Sequence, residues 1–281
     1  MKISVLSGKG GTGKTFVSTN LTRVASQKRK TLLLDCDVEE PNSGLFFMTS
    51  NPVIDLVSTP LPVVDQNRCT HCGICAKKCQ FNAIASFPKT TIVYKNLCHG
   101  CGVCSMVCPE HAISETQKNI GQLETTELGE SLSIVTGRLN VGEPSGVKVI
   151  RALKKHIPAE SDLVILDSPP GASCPVVETL RGVDFALMVT ESSPFGLHDL
   201  QIAMQIAEEM KIPIGVVINR YDEKNDKTRE FLSGKNIPVL MTIPFDMEIA
   251  RHYSSQKLLV DISDHYRSEF SSLLEKIEGM L

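Results

Sequence analysis

The sequence predicts an α/β fold: a doubly wound parallel sheet interrupted by a small inserted α+β unit. Three observations carry that expectation. Apolar runs of strand length alternate with amphipathic stretches of helix length along most of the 281 residues. Glycine-rich or acidic segments follow the apolar runs, where a parallel sheet places its ligands. Between Cys69 and Ser114 the composition changes abruptly, and eight of the ten cysteines gather there.

Taken in order, residues 3–6 form an apolar strand that runs into Gly8, Lys9, Gly10, Gly11, Thr12, Gly13, Lys14 and Thr15. This stretch fits the phosphate-loop pattern G-x-x-x-x-G-K-[ST]. Its glycines let successive backbone N–H groups turn toward anionic oxygens. A helix expected over 16–25 points its positive end at the same place. Lys14 supplies a mobile charge for the outer phosphates, and the Thr15 hydroxyl suits Mg²⁺. Residues 30–37 read as a second buried strand delivering Asp35 and Asp37, and 38–42 as a loop broken by Pro41 and Asn42.

Residues 51–67 contain Pro52, Pro60 and Pro62 and read as a linker; polar 115–130 reads as the return connection. The expected organisation is therefore a first part over 1–60, an insert over 61–114 and a second part over 115–281. Beyond it come a strand at 132–137, a helix at 145–157 and a strand at 163–167 ending in Asp167. Further strands are expected at 185–190, 214–219 and 239–243, with a helix at 197–210. Asn219 and Arg220 follow one of these strands; Pro244, Phe245 and Asp246 follow another. A last helix over 261–277 aligns Ile262, Tyr266, Phe270, Leu273, Leu274 and Ile277. Its polar face is mostly acidic, which favours packing on the core over lying on a membrane.

Lys+Arg number 29 against 32 Asp+Glu, a net charge of −3, so nothing points to nucleic acid or an anionic membrane. The chain opens directly on a strand, with no charged-then-apolar leader and no apolar run of bilayer length. A cytoplasmic protein without a membrane span is expected. Ten cysteines in that compartment argue for metal or redox chemistry over disulfides.

Lys9, a second lysine at the loop entrance, gives the loop its particular character. With it the sequence resembles the deviant Walker A ATPases, among them MinD, Mrp-type cluster carriers and the nitrogenase iron protein. The resemblance implies a P-loop NTPase that binds ATP with Mg²⁺ and hydrolyses it. It implies that Lys9 crosses a dimer interface to the other subunit's nucleotide, in an ATP-dependent homodimer or a heterodimer with a similar ATPase. Asp37 would position the attacking water as the first switch, making Lys9, Lys14 and Asp37 the catalytic set. Asp167, before Ser168, Pro169, Pro170 and Gly171, would be the second switch and hold Mg²⁺ with Thr15, supported by Asp35. Gly8 through Thr15 and Phe16 would cradle the nucleotide. Asn219 and Arg220 would read adenine, and Pro244 and Asp246 would close over the base.

The cysteine block repeats one spacing twice: Cys69, Cys72, Cys75, Cys79, then Cys98, Cys101, Cys104, Cys108 followed by Pro109. This resembles bacterial two-cluster ferredoxins, in which the fourth cysteine of each run serves the other cluster. The resemblance implies two [4Fe-4S] clusters in a ferredoxin-like insert. One would take Cys69, Cys72, Cys75 and Cys108; the other Cys98, Cys101, Cys104 and Cys79. Gln80 departs from the pattern, where proline often follows the fourth cysteine. Zinc, the competing reading of paired C-x₂-C motifs, does not account for the doubled spacing. His71, His99 and His111 read as loop residues, and Cys36 and Cys174 as core thiols.

Together these readings lead to an ATP-driven dimeric switch coupled to electron transfer, acting with a redox or metal-cofactor protein. The alternative is an ATPase that assembles or carries iron–sulfur clusters or metallocofactors. A third reading, a positioning ATPase with purely structural clusters, is disfavoured by the acidic last helix.

Overall fold

The computed structural model describes residues 1–48, 51–159, 161–223 and 227–281. Its strands are β1 (Lys2–Leu6), β2 (Thr31–Asp35), β3 (Val53–Val64), β4 (Ile84–Phe87), β5 (Thr90–Val93), β6 (Ile113–Glu127), β7 (Leu132–Leu139), β8 (Leu163–Asp167), β9 (Phe185–Glu191), β10 (Ile214–Tyr221) and β11 (Val239–Pro244). Its helices are α1 (Lys14–Ser26), α2 (Ile74–Lys78), α3 (Val103–Met106), α4 (Val147–Lys155), α5 (Cys174–Leu180), α6 (Pro194–Glu209), α7 (Lys227–Gly234), α8 (Met247–Ser254), α9 (Leu259–Ile262) and α10 (Asp264–Glu278). A short 3₁₀ turn spans Ser43–Phe47.

The main sheet runs β11-β10-β9-β1-β8-β2-β7-β6-β3 among the described residues. From β11 to β7 every pairing is parallel. The apolar runs are continuous because both faces are covered. Leu33 packs on the α1, α9 and α10 side, whereas Leu32 and Leu34 face the side of α4, α5 and α6. α10 buries Phe270, Leu273, Leu274 and Ile277 in the core, as its pattern predicts. It begins later than expected, because Ser263 ends α9 and caps α10, leaving Ile262 exposed.

The expected linkers are corrected. Residues 51–67 and 115–130 contain β3 and β6, a long antiparallel ribbon in register from Val53–Thr125 to Val64–Ile113. β6 also pairs antiparallel with β7, so the ribbon extends the main sheet. Pro60 and Pro62 are tolerated because β3 is the edge strand, and two residues apart they share one side of it. A bulge opposite Val57 and Ser58 leaves Ile120 unpaired and buried. The expected boundaries at 60/61 and 114/115 fall inside these continuous strands.

The cysteine-rich unit grows from the end of the ribbon. It comprises α2, the β4–β5 hairpin and α3 around a small core of Cys75, Ile84 and Ile113. All ten cysteines of the chain are free thiols. α5, α7 and α8 had no expected counterpart.

Candidate functional site

The phosphate loop lies between β1 and α1, at the carboxyl end of the central strands. Gly13 adopts φ 96° at the start of α1, a conformation that excludes most side chains. A Cβ there would also collide with the amide of Asn219. That amide donates to the carbonyl of Thr12 at 2.8 Å, tying the end of β10 to the loop. α1 is buried nearly throughout. Its hydroxyls turn back on the helix, Thr19 to the Thr15 carbonyl and Thr22 to that of Ser18, each at 2.7 Å.

Lys14, Thr15, Asp35, Asp37 and Asp167 converge. The Lys14 ammonium is 2.9 Å from Asp167 and 3.7 Å from Asp37. The Thr15 hydroxyl donates to the other Asp167 oxygen at 2.7 Å, and Ser43 to the same oxygen at 2.9 Å. Burial works against the charge on Lys14, but Asp167 and Asp37 outweigh it and raise its pKa. Burial lifts Asp37 to about 6, opposed by Lys14. Burial and the charge of Asp167 lift Asp35 to about 7.

Asp35 ends β2 opposite Asp167 on β8. Its carboxylate accepts the backbone N–H of Asp37 (3.2 Å), Asn42 (3.0 Å) and Ser43 (2.8 Å). It therefore shapes the loop carrying Asp37, and it faces Asp167 both directly across the β2–β8 pairing and through Ser43. Ser43 was not among the expected residues; no motif marks it, since the loop folds it back across 124 positions of sequence. The second switch is tied in by its backbone, Ser168 N–H to Val5 and Gly171 N–H to Ser7, each at 3.0 Å. The hydroxyls of Thr12 and Ser168 are buried without a partner among the described residues, a lining that suits a polar ligand.

Lys9 sits on Glu191 at 2.6 Å, and Arg220 approaches the same carboxylate at 3.4 Å. Burial would raise the pKa of Glu191, but Lys9 and Ser193 overcome it and lower it. Glu191 ends β9 and was not anticipated. Phe16, Asn219, Arg220, Pro244 and Asp246 line one cavity of about 230 Å³ with Tyr253. Phe16 meets the Tyr253 ring edge-on at 5.9 Å between centroids. Asp246 is occupied as the cap of α8, accepting the Glu248 N–H at 2.7 Å.

The eight clustered cysteines divide between two cavities. One is lined by Cys69, Cys72, Cys75 and Cys108. The other is lined by Cys79, Cys98, Cys101 and Cys104. Each thus draws three thiols from one run and the fourth from the other. Among the described residues no group of three or more His, Cys, Asp or Glu side chains is placed to hold a metal ion. Backbone N–H groups already point at sulfur: Ala83 to Cys79 and Ala112 to Cys108 at 3.3 Å, and Gly100 to Cys98 at 3.4 Å. His99 stacks on Phe81 at 3.8 Å, as a loop residue does. Cys36 is buried as expected, whereas Cys174 is exposed because the first residue of α5 faces the cleft beside the insert.

The chain matches the CobQ/CobB/MinD/ParA nucleotide binding domain over residues 3–260 and belongs to that family. An uncharacterised protein of Methanocaldococcus jannaschii is 31% identical, with the alignment covering 100% of this chain and 98% of the relative. A second from the same organism is 30% identical over 94% of this chain and 93% of its own length. Among solved structures, the cell division ATPase MinD of Pyrococcus furiosus superposes with a TM-score of 0.62 at 20% identity, covering 100% and 99% of the two chains. MinD from Pyrococcus horikoshii in complex with Mg-ADP gives 0.61 at 20%, covering 100% and 96%. These two share the fold. Among the described residues no helix is long and apolar enough to cross a membrane.

Proposed function

We propose that this chain is an ATP-hydrolysing dimeric switch, working in the cytoplasm, that controls electron transfer through two [4Fe-4S] clusters. The observation that carries the redox half is the crossed sorting of eight thiols into two cavities. A four-iron cluster asks for four thiolates arranged around it, and that donor set suits each cavity. In this reading Cys69, Cys72, Cys75 and Cys108 hold one cluster, and Cys98, Cys101, Cys104 and Cys79 the other. The clusters would supply one-electron carriers. The chain's own part is to hold them by thiolate, direct backbone N–H groups at sulfur and keep them on a stiff ribbon.

The ATPase half rests on family membership and on the buried Lys14–Asp167–Thr15 constellation. Gly8, Lys9, Gly10, Gly11, Thr12, Gly13, Lys14 and Thr15 would wrap the phosphates, with the orphan Thr12 hydroxyl among the donors. Nucleotide binding would draw Lys14 from Asp167 toward phosphate. That leaves Asp167 and Thr15 for Mg²⁺, with Asp35 holding the loop behind them. Asp37 would orient water, and positioning with electrostatics would do the rest. Asn219, Arg220, Phe16, Pro244 and Asp246 would enclose the adenine. Lys9, parked on Glu191 here, would cross to the nucleotide of a second copy or of a similar ATPase. A redox or metal-cofactor protein is the partner this chemistry calls for.

The test is nucleotide-dependent electron transfer. Protein prepared without oxygen is reduced with dithionite in ADP–Mg²⁺ or ATP–Mg²⁺ and followed by EPR. A reduced-cluster signal whose rate of appearance differs between nucleotides supports the switch. Identical reduction in both states removes the coupling from the account.

A further inference from the structure

Three cations on α4 join parts of the molecule that are distant in sequence. Lys154 donates to the carbonyls of Glu178 (2.8 Å), Thr179 (3.1 Å) and Arg181, capping the last turn of α5. Arg151 pairs with the Glu178 carboxylate at 3.0 Å. α5 starts at Cys174, directly after the switch segment that begins at Asp167. α4 and α5 are thus pinned together by their polar contacts as well as by Val149, Ile150, Val176 and Leu180 in one core. Rigid elements joined this way move as a unit.

At its other end α4 reaches the insert. The Lys148 ammonium donates to the Gly100 carbonyl at 2.9 Å and to the Thr59 hydroxyl. Gly100 lies between Cys98 and Cys101, at φ +58°, and any side chain there would strike Thr59, Pro60 or Lys148. The loop is therefore seated in a niche formed by β3 and α4. Thr59 and Lys148 also line a cleft of about 610 Å³ with Cys98, Cys101 and Cys174. The other cavity, with Cys69, Cys72, Cys75 and Cys108, is lined from within 69–113 alone.

We propose that Lys148 is a positioning residue through which the second switch sets the electrostatic environment of the centre held by Cys98, Cys101, Cys104 and Cys79. The inference rests on the function proposed above. One-electron reduction makes a cluster more negative, so a nearby ammonium favours the reduced form. A shift of α5 with the switch carries α4 and moves that charge relative to the Gly100 loop. The other centre has no such link and stays constant.

The experiment compares wild type, Lys148→Met and Lys148→Arg holoprotein in ADP–Mg²⁺ and ATP–Mg²⁺. EPR-monitored redox titration is read alongside amide exchange over 98–104 and 69–75. In wild type, nucleotide should shift one of the two potentials and the exchange of 98–104, leaving 69–75 alone. Lys148→Met should make that potential more negative and abolish both nucleotide responses; Lys148→Arg should keep them. A nucleotide response that survives in Lys148→Met, or equal shifts in both centres, overturns the proposal. Exchange over 98–104 that ignores nucleotide in wild type overturns it too, with the clusters intact. If the protein holds no iron, the electrostatic role of Lys148 falls with the cluster assignment, and the exchange arm reads only the link from α5 to the Gly100 loop.

Discussion

Lys14 and Asp167 form a charged pair at 2.9 Å at the site, and each is buried. A buried ion pair is costly to break on one side, because the remaining charge stays desolvated. Lys14→Ala should therefore abolish nucleotide binding and also destabilise the nucleotide-free protein, by about 3–5 kcal/mol. Calorimetric titration and chemical denaturation measure the two effects; unchanged nucleotide affinity would refute the loop assignment. Asp37 gives a pH test. Its folded pKa, lifted to about 6 by burial, lies above that of an unfolded aspartate. Its contribution to stability is full below about pH 4 and is lost as pH rises through about 6. Asp37→Asn should accordingly melt higher than wild type at pH 7.5 without nucleotide, with the advantage gone at pH 4. An equal difference at both pH values would contradict the burial argument. At this scale the phosphate loop was legible because its chemistry is local in sequence. Ser43 and Glu191 were not, since only folding brings them to Asp167 and Lys9.

Strands and helices of the parallel half follow from apolar runs, because both faces of the sheet are covered and the inner strands β2 and β8 are buried throughout. The ribbon escaped that logic. β6 is largely polar and half exposed, and β3 carries two prolines, so neither shows the alternation of a half-buried strand. Edge position is a property of the sheet and is not written in a strand's own residues. The ribbon's stiffness matters for function, since an insert on a paired ribbon follows the main sheet where one on loops would not. On the opposite face α10 closes over α1, with Phe270 edge-on to Phe16 at 6.2 Å. Phe270→Ala should cost about 3–5 kcal/mol and lower the melting temperature accordingly. A loss below 1 kcal/mol in a denaturant titration would show that α10 does not seal this core.

In the whole molecule, the cysteine-rich unit extends from one edge of the sheet that carries the phosphate loop, and α4 touches both that unit and α5. The doubled cysteine spacing was legible in the sequence, and each cavity is lined by three cysteines of one run and one of the other. The contact between α4 and the insert was not, because Lys148, Thr59 and Gly100 meet only after the ribbon has formed. Crossed sorting has its own consequence. Cys79→Ser should perturb the centre built mainly from the second run, and Cys108→Ser the one built mainly from the first. EPR of the two variants would refute the crossing if each affected its own run. Both outcomes presuppose metal of the right kind. The most direct measurement is iron and acid-labile sulfide per chain in protein prepared without oxygen. About eight of each is the predicted result; a colourless protein carrying zinc, or one that cannot be reconstituted with iron and sulfide, would contradict it.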